Sequence, residues 1–454
     1  MPLISVIMPS YNVKNYIAEC MDSVCGQTFE DLEILCIDAG SEDGTLEILR
    51  AYEQQDSRVK VHLSEQKSYG YQVNKGIQLA QGKYIAVVET DDIIEKNMFE
   101  LLFAEAQAHN LDYVKGQFAR LIAFEDGTVW KQKMRVYPLS LELFGRVLTP
   151  SEDAMAYLKD IYLWTGIYNR EFLLTNGICL NETKGAAFQD QGFLFQTISC
   201  AKRAMYISDV VYHYRQNNAG SSVFNPKGFQ YLVGEYPFVK AQCEAKRIPE
   251  KTYLMPYYTR MFMQTVARYA TMAASGRLWE NTVEPRGQLG KWIQEADTQG
   301  MFDEELLDKT VWMELQQYLE DEESYWQYQL SRYHAKRRSL RELFRKAREA
   351  GEVVFYSKSI VGGFVYCLLK TAGIDVPVCF CDNDEKKQGT TYMNAPVLSV
   401  EEAVHKNPDA LYIIANRRYD KSMRQQLEDL GIAKAGIYRW MMDVDILMLH
   451  MKCE

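Results

Sequence analysis

Three acids stand within four residues at Glu89-Thr90-Asp91-Asp92, directly after the apolar run Tyr84 to Val88. Like charges that close, at the end of a buried strand, repel one another unless a cation sits among them. Oxygen donors suit a hard divalent ion, magnesium or manganese. The reading is a metal and a diphosphate bound at the cluster Glu89, Asp91 and Asp92. His213, in Tyr212-His213-Tyr214-Arg215, is a further metal or phosphate contact, with a structural histidine as the alternative. Arg215 offers the diphosphate a charge-assisted contact, or pairs with an acid in the core. The donor-rich segment Lys67-Ser68-Tyr69-Gly70-Tyr71-Gln72 supplies phosphate and base contacts through Lys67 and Tyr69, or is a solvated turn. The plain alternative for the acids is an Asp capping a helix that starts near Ile93; it explains one acid, not three.

Other chemistries lack their residues. The sequence has no G-x-x-x-x-G-K-[ST] loop, no H-E-x-x-H pair and no G-x-S-x-G elbow, and its first turn has no glycine fingerprint.

The elements that must position these groups are βαβ units. Short apolar runs predict strands at roughly 3 to 8, 33 to 37, 59 to 63, 84 to 89 and 112 to 118. Between them Ile17, Cys20, Met21 and Val24 recur at helical spacing, as do Leu46 and Leu49, and Ile77 and Ala80. The fold class is α/β with a mostly parallel sheet. In such sheets ligands bind beyond the carboxyl ends of the strands. There stand Pro9-Ser10-Tyr11-Asn12, Asp38-Ala39-Gly40-Ser41 and the acid cluster, so polar groups converge on one edge.

Residues of about 120 to 235 are mixed, with a hairpin near Asp126-Gly127 and a helix near 151 to 160; from about 235 to 350 the pattern is helical. Segment 332 to 348 carries eight Lys and Arg and one acid, with Leu340, Leu343, Phe344 and Ala347 along one face. It is a basic amphipathic helix, either a linker with a solvated face or a peripheral contact with anionic lipid head groups. After Gly351 a second α/β unit follows: strands Val353 to Tyr356, Val376 to Cys381 and Leu411 to Ala415, with helices at about 360 to 371 and 420 to 430. The expected domains are 1–235, 236–350 and 351–454.

The chain has 454 residues, 47% hydrophobic and 25% charged, with a net charge of −10. That excludes a surface built to neutralise phosphate backbones, so no nucleic-acid partner is expected. Ten cysteines without paired C-x-x-C sets suggest reduced thiols, and the N-terminus shows no export signal. The expected location is cytoplasmic, or peripheral at the inner face of the membrane.

The run Ile4-Ser5-Val6-Ile7-Met8-Pro9-Ser10-Tyr11-Asn12, then Gln27-Thr28, Asp38-x-Gly40-Ser41-x-Asp43-Gly44-Thr45 and Asn74-x-Gly76-Ile77-x-x-Ala80-x-Gly82-x-Tyr84-Ile85, resembles family-two glycosyltransferases of GT-A fold. The resemblance covers roughly residues 1 to 230. It implies transfer of a sugar from a nucleotide donor, expected to be a UDP-sugar, usually with inversion. The acceptor is a glycan or lipid-linked saccharide, as in bacterial capsule, exopolysaccharide and lipopolysaccharide assembly, and the cofactor is Mn2+ or Mg2+. The resemblance places Pro9, Tyr11, Asn12 and Asp38 in the nucleotide pocket, with Lys67, Tyr69, Gly70 and Asn74 on the nucleotide side. Glu89 stands where the family has the first Asp of its D-x-D motif, and Asp91 matches the second. Ala39 replaces a family Asp that can accept a hydrogen bond from the base.

Gly185-Ala186-Ala187-Phe188-Gln189-Asp190-Gln191-Gly192-Phe193 resembles the family's Glu-Asp motif, with Gln189 for the Glu and Asp190 kept as the catalytic base; the alternative is an Asp capping a helix from Gly192 to Cys200. Tyr212-His213-Tyr214-Arg215, with Ser221-Ser222 following, resembles the family's closing strand and loop. Trp164-x-x-x-Tyr168-x-Arg170-x-Phe172 matches its acceptor side, where aromatics stack on sugars or pack the core. The chemistry asks for these parts: a cation for the leaving diphosphate, tolerance of an oxocarbenium-like sugar and a base for the acceptor hydroxyl.

Residues of about 351 to 440 resemble a nucleotide-binding Rossmann-like unit, through Cys381-Asp382-Asn383-Asp384 and Ala395-Pro396-Val397-Leu398. Where G-x-G-x-x-G would open its helix stand Ser357, Ser359 and Gly362. The expectation is a module that lost its cofactor and serves packing, homo-oligomerisation or partner binding, while Asp382 keeps nucleotide binding open. Two rival readings remain at this level: a noncatalytic sugar-nucleotide-binding scaffold, and a working redox or epimerase C-terminal domain.

Overall fold

A computed structural model describes residues 2–445, 448 and 449, except 136, 139, 219, 221–224, 226 and 269–281. Ser221 and Ser222 of the closing loop therefore lie outside the described residues. The chain divides into two compact units, one of Met1–Ala119 with Lys133–Leu330 and one of Arg120–Gln132 with Ser331–Glu454.

The first unit holds most of a nine-stranded sheet: β1 (Ile4–Ser10), β2 (Leu32–Asp38), β3 (Val59–Leu63), β4 (Tyr84–Val87), β5 (Ile93–Ile94), β6 (Tyr113–Ala123), β7 (Val129–Met134), β8 (Gly166–Asn169) and β9 (Ala204–Arg215), the end of β6 and the start of β7 being counted with the second unit. Its order is β3-β2-β1-β4-β8-β6-β9-β5, with β7 beside β6. The first four are mutually parallel. β4 meets β8, β8 meets β6 and β5 meets β9 in antiparallel pairs. Every residue of β1 and β2 is buried, as expected of parallel strands covered on both faces by crossover helices. Helices α1 (Lys14–Cys25), α2 (Thr45–Gln55), α3 (Tyr69–Leu79) and α4 (Met98–His109) provide that cover. Ile17, Cys20, Met21 and Val24 form the buried stripe of α1, the i, i+3, i+4, i+7 set read from the sequence.

Beyond the sheet come α5 (Ala154–Lys159), α6 (Arg170–Thr175), α7 (Asp190–Cys200), α8 (Gly228–Ala245) and α9 (Glu250–Met261), the last running into a π-helical stretch, Phe262–Arg268. Three further helices span Val283–Thr298, Lys309–Glu320 and Glu322–Ala350. The nine described cysteines are all free thiols, and no helix among the described residues is long and apolar enough to cross a membrane.

The second unit has a six-stranded sheet of β10 (Val353–Tyr356), β11 (Val378–Cys381), β12 (Thr391–Tyr392), β13 (Ala395–Leu398), β14 (Leu411–Ile414) and β15 (Ile437–Arg439) in the order β12-β13-β11-β10-β14-β15. Its core takes in Leu340, Leu343, Phe344 and Ala347 from the long helix, and Ile122 and Trp130 from the hairpin that turns at Asp126-Gly127. The division expected at 350 thus falls at Leu330/Ser331, because one unbroken helix begins at Glu322 and its apolar stripe packs under the second sheet. That stripe is consumed by packing; Arg338, Arg341 and Arg345 on the other side are exposed. At the glycine-poor turn Ser357 takes φ 102°. Asp382 accepts from the Lys358 amide (3.0 Å) and pairs with Lys387 Nζ (2.9 Å), so the residue placed to meet a ribose is already engaged.

Candidate active site

The carboxyl ends of β1, β2 and β4 carry the expected polar groups, and each is held by a partner that can be named. Asp38 is fully buried. Its Oδ1 accepts from the amides of Gly40 (2.9 Å) and Ser41 (2.8 Å), and its Oδ2 from Ser41 Oγ (2.7 Å) and Ser10 Oγ (3.0 Å). It shapes the β2–α2 loop and has its acceptor sites occupied there. Asn12, at φ 53°, donates its amide to Ser41 Oγ (2.9 Å) and accepts from the Glu42 amide at Oδ1 (2.9 Å). Pro9 lends its carbonyl to Thr90 Oγ1 at 2.9 Å. Tyr11 is 43% exposed, and Lys67 both donates to its hydroxyl (3.0 Å) and lies 4.6 Å from its ring centroid. This exposed cation-aromatic pair is the part of the set still open to a ligand's phosphate or base.

The three acids diverge. Tyr69 donates to Glu89 Oε1 at 2.5 Å. Asn218 Nδ2 donates to Asp91 Oδ2 at 2.7 Å. Asp92, 1% exposed, accepts from the Arg215 amide at Oδ1 (2.7 Å) and from the Tyr212 hydroxyl at Oδ2 (2.9 Å). Each of the three acids thus has its own hydrogen-bond partner. Their energetics remain tight. Burial pushes Glu89 up to about 8, opposed by the Tyr69 hydrogen bond and reinforced by the charges of Asp91 and Asp190. Burial also raises Asp91, opposed first by Asn218, and raises Asp92 further, with the Asp91 charge second.

Arg215 is 5% exposed. Its Nε donates to the Asp91 carbonyl (2.9 Å) and its Nη2 pairs with Glu19 on α1 (2.6 Å). It ties the acid loop to α1 through an acid, Glu19, that is exposed rather than in the core. His213 Nε2 meets Glu95 Oε1 at 2.6 Å. Among the described residues no group of three or more His, Cys, Asp or Glu side chains is disposed to hold a metal. Trp164 stacks on Tyr212 at 4.2 Å, and with Tyr168 it belongs to the core.

The Asp190 segment is sewn to the β3–α3 turn. The Tyr69 amide donates to the Gly185 carbonyl (2.9 Å) and the Gly185 amide to the Lys67 carbonyl (2.8 Å). Asn74 Nδ2 donates to the Leu180 carbonyl and to Glu182 Oε1, both at 2.9 Å, while its Oδ1 accepts from the Leu180 amide at 2.9 Å. A Cβ on Gly70 would lie 1.9 Å from the Asn181 carbonyl oxygen. Gly70 and Asn74 are therefore committed to segment 180–182, where the sequence suggested the nucleotide side. Gln189, 1% exposed, donates from Nε2 to the Thr183 carbonyl (2.9 Å), Thr183 Oγ1 (3.0 Å) and the Gly185 carbonyl (3.1 Å), and accepts from the Ala187 amide (3.0 Å). A carboxylate could not make those donations, so the amide at this position is a loop-folding device.

Asp190 opens α7. Burial pushes its carboxyl up to about 6, while Arg260, two backbone amides and Lys115 hold it down. A carboxylate of that strength at a helix N-terminus can exchange a proton near neutral pH. Sequence reasoning missed Asn218, Tyr212 as the bridge between Asp92 and the Glu89 amide, the buried pair Asn181–Glu235 (3.0 Å) and Arg260. The polar run Gln216-Asn217-Asn218 after β9 was the one local signal for Asn218.

Residues 5–163 match the model of glycosyl transferase family 2, and residues 287–438 match that of a C-methyltransferase C-terminal domain. Glycosyltransferase GlyG of Streptococcus pneumoniae serotype 4 is 30% identical over 224 residues, 48% of this chain and 71% of that one. Uncharacterized glycosyltransferase EpsJ of Bacillus subtilis is 32% identical over 246 residues, 52% of this chain and 68% of that one. The crystal structure of Staphylococcus aureus TarS 1–349 superposes with a TM-score of 0.51 at 22% identity, covering 76% of this chain and 91% of that one; the likeness is one of fold. With a sheet, a strand-end acid cluster and relatives of this kind, the chain belongs to glycosyl transferase family 2 and is a glycosyltransferase enzyme.

Proposed function

We propose that this glycosyltransferase moves a sugar from a UDP-sugar to a hydroxyl of a glycan or lipid-linked saccharide by a single inverting displacement, with a divalent cation, in the making of a surface polysaccharide. The observation that carries the reading is Asp190: a carboxyl raised to about 6, at the N-terminus of α7, in a segment hydrogen-bonded to the Tyr69 turn beside Glu89.

Asp190 accepts the proton of the acceptor hydroxyl as that oxygen attacks the anomeric carbon; the bond to the diphosphate breaks on the opposite face. No protein nucleophile takes part, so configuration inverts. Tyr11 and Lys67 meet the nucleotide from the exposed side. Asp91, with Glu89 near it, is the group to hold Mn2+ or Mg2+. The donor set fits a cation that arrives with the diphosphate, since nucleotide sites commonly use one or two carboxylates and let substrate phosphates and water complete the shell. Such an ion supplies charge neutralisation for the leaving diphosphate. His213, engaged by Glu95, is left out of that set.

A thermal-shift panel of nucleoside diphosphates and UDP-sugars, with and without manganese, on the wild type and Asp91→Ala tests the donor and metal assignments together. A stabilising shift that needs both manganese and Asp91 is expected; a shift indifferent to Asp91 overturns the metal assignment.

A further inference from the structure

Arg260 on α9 is 0% exposed, an unusual station for a guanidinium. Its Nη1 donates to the Tyr157 carbonyl at 3.0 Å, its Nη2 donates to Gln191 Oε1, and its guanidinium carbon sits 4.9 Å from the Phe195 ring centroid. Gln191 and Phe195 are four apart on α7, so Arg260 lies along one face of that helix at the turn that Asp190 begins. Desolvating a guanidinium is costly, and filling space against Tyr157 and Phe195 asks only for an apolar side chain. The charge itself has work to do here.

We propose that Arg260 is a positioning residue of the transferase: it grips the first turn of α7 through Gln191 and supplies the positive charge that keeps Asp190 a carboxylate. The inference rests on Asp190 being the base. Of the groups that oppose the effect of burial on Asp190, Arg260 is the first, ahead of the backbone amides and Lys115.

The other side chains around Asp190 supply less of that charge or oppose it. Lys115 on β6 is buried against Asp160, which neutralises it, and also donates to the Tyr162 carbonyl at 2.9 Å. Glu89 beyond β4 and Glu235 on α8 act in the opposite sense, each raised in part by the Asp190 charge. Tyr69 on α3 and Tyr168 on β8 are neutral phenols whose ionisation Asp190 suppresses further. The amides of the first turn of α7 add the helix dipole. Arg260 is thus the cation whose loss Asp190 would feel most.

The test is the pH dependence of UDP release from the UDP-sugar preferred among UDP-glucose, UDP-galactose and UDP-N-acetylglucosamine, on the full chain, with folding checked by circular dichroism and melting temperature. Arg260→Gln is expected to move the acid limb of kcat/KM up by about one pH unit, the lower end for loss of a nearby opposite charge. At a pH below the limb that is roughly a tenfold loss, recovered above pH 8. Arg260→Lys, which keeps a charge, is expected to retain the wild-type limb. A folded Arg260→Gln whose loss is uniform across pH overturns the proposal, because a structural role alone would give that result. If Arg260→Gln does not fold, Gln191→Leu removes the acceptor that holds Nη2 without adding a charge beside Asp190; an upward limb supports the proposal and an unmoved one overturns it. Asp190→Asn separates the two readings. Full activity there removes the base assignment and this inference with it, whereas an inactive Asp190→Asn beside an unmoved Arg260→Gln limb removes this inference alone.

Discussion

Restoring the family's acid at position 189 should damage this protein. In Gln189→Glu the Ala187 amide keeps its acceptor, but the donations to the Thr183 carbonyl, Thr183 Oγ1 and the Gly185 carbonyl are lost. The Thr183 carbonyl loses its side-chain donor at about 1 kcal/mol, the Gly185 carbonyl keeps the Tyr69 amide, and a carboxylate must be desolvated at a 1% exposed position for about another 1 kcal/mol or more. The sum is about 2 kcal/mol, read as a lower urea midpoint with an unchanged slope and as faster amide exchange across 183–189. The pH dependence is part of the prediction. Facing carbonyls, the new carboxyl has its folded-state pKa raised, and its protonated form regains one donor. The destabilisation is therefore smaller at pH 5 and grows as pH rises toward 8. A variant as stable as wild type at pH 8, or one whose deficit grows as pH falls, would refute the assignment of Gln189 as a donor.

Other outcomes follow from neighbouring groups. The acid limb of kcat/KM in the wild type should lie near 6, the value to which burial raises Asp190, with activity lost as pH falls through it. A limb near 4 would place the base elsewhere. Gly70→Ala brings a Cβ to 1.9 Å from a main-chain oxygen and should cost about 2 to 3 kcal/mol in chemical unfolding, whereas a neutral result would mean that segment 180–182 is free to move. Burial pushes Glu235 up to about 8 against the Asn181 hydrogen bond. Its folded value lies above the unfolded one, so stability is full below about pH 4.5 and is lost as pH rises through 8. Glu235→Gln, which can still accept from Asn181, should melt higher than wild type at pH 9 and lose that advantage by pH 5; an equal difference at both pH values would contradict the burial argument.

Much of the scaffold was legible because it is written locally. β1, β2 and β3 are continuous or alternating apolar runs, the stripe of α1 is spaced at 3.6, and Asp126-Gly127 announces a hairpin whose Gly127 indeed takes φ 79°. The site was legible as a set of residue types at strand ends, and less so as a set of bonds. Asp38 has the composition of a ligand residue, yet only the fold reveals that Ser10, Gly40 and Ser41 saturate it. Asp91 and Asn218 are 127 residues apart, and β9 brings them together by pairing with β5. Arg260 sits in a stretch that periodicity marks only as helical; nothing local says that its charge is buried against α7. The division into compact units at Leu330/Ser331, rather than at Gly351, has a similar reason. The glycine ends the helix, but which core the helix serves depends on Leu340, Leu343 and Phe344 finding partners that are distant in sequence.

The most direct measurement is UDP release at pH 8 with manganese and the preferred UDP-sugar, comparing the wild type with Asp190→Asn and measuring donor affinity for both. The account predicts a rate lower by about 100-fold or more in the variant, the range for loss of a general base, with donor affinity unchanged. A variant that turns over at the wild-type rate would contradict it.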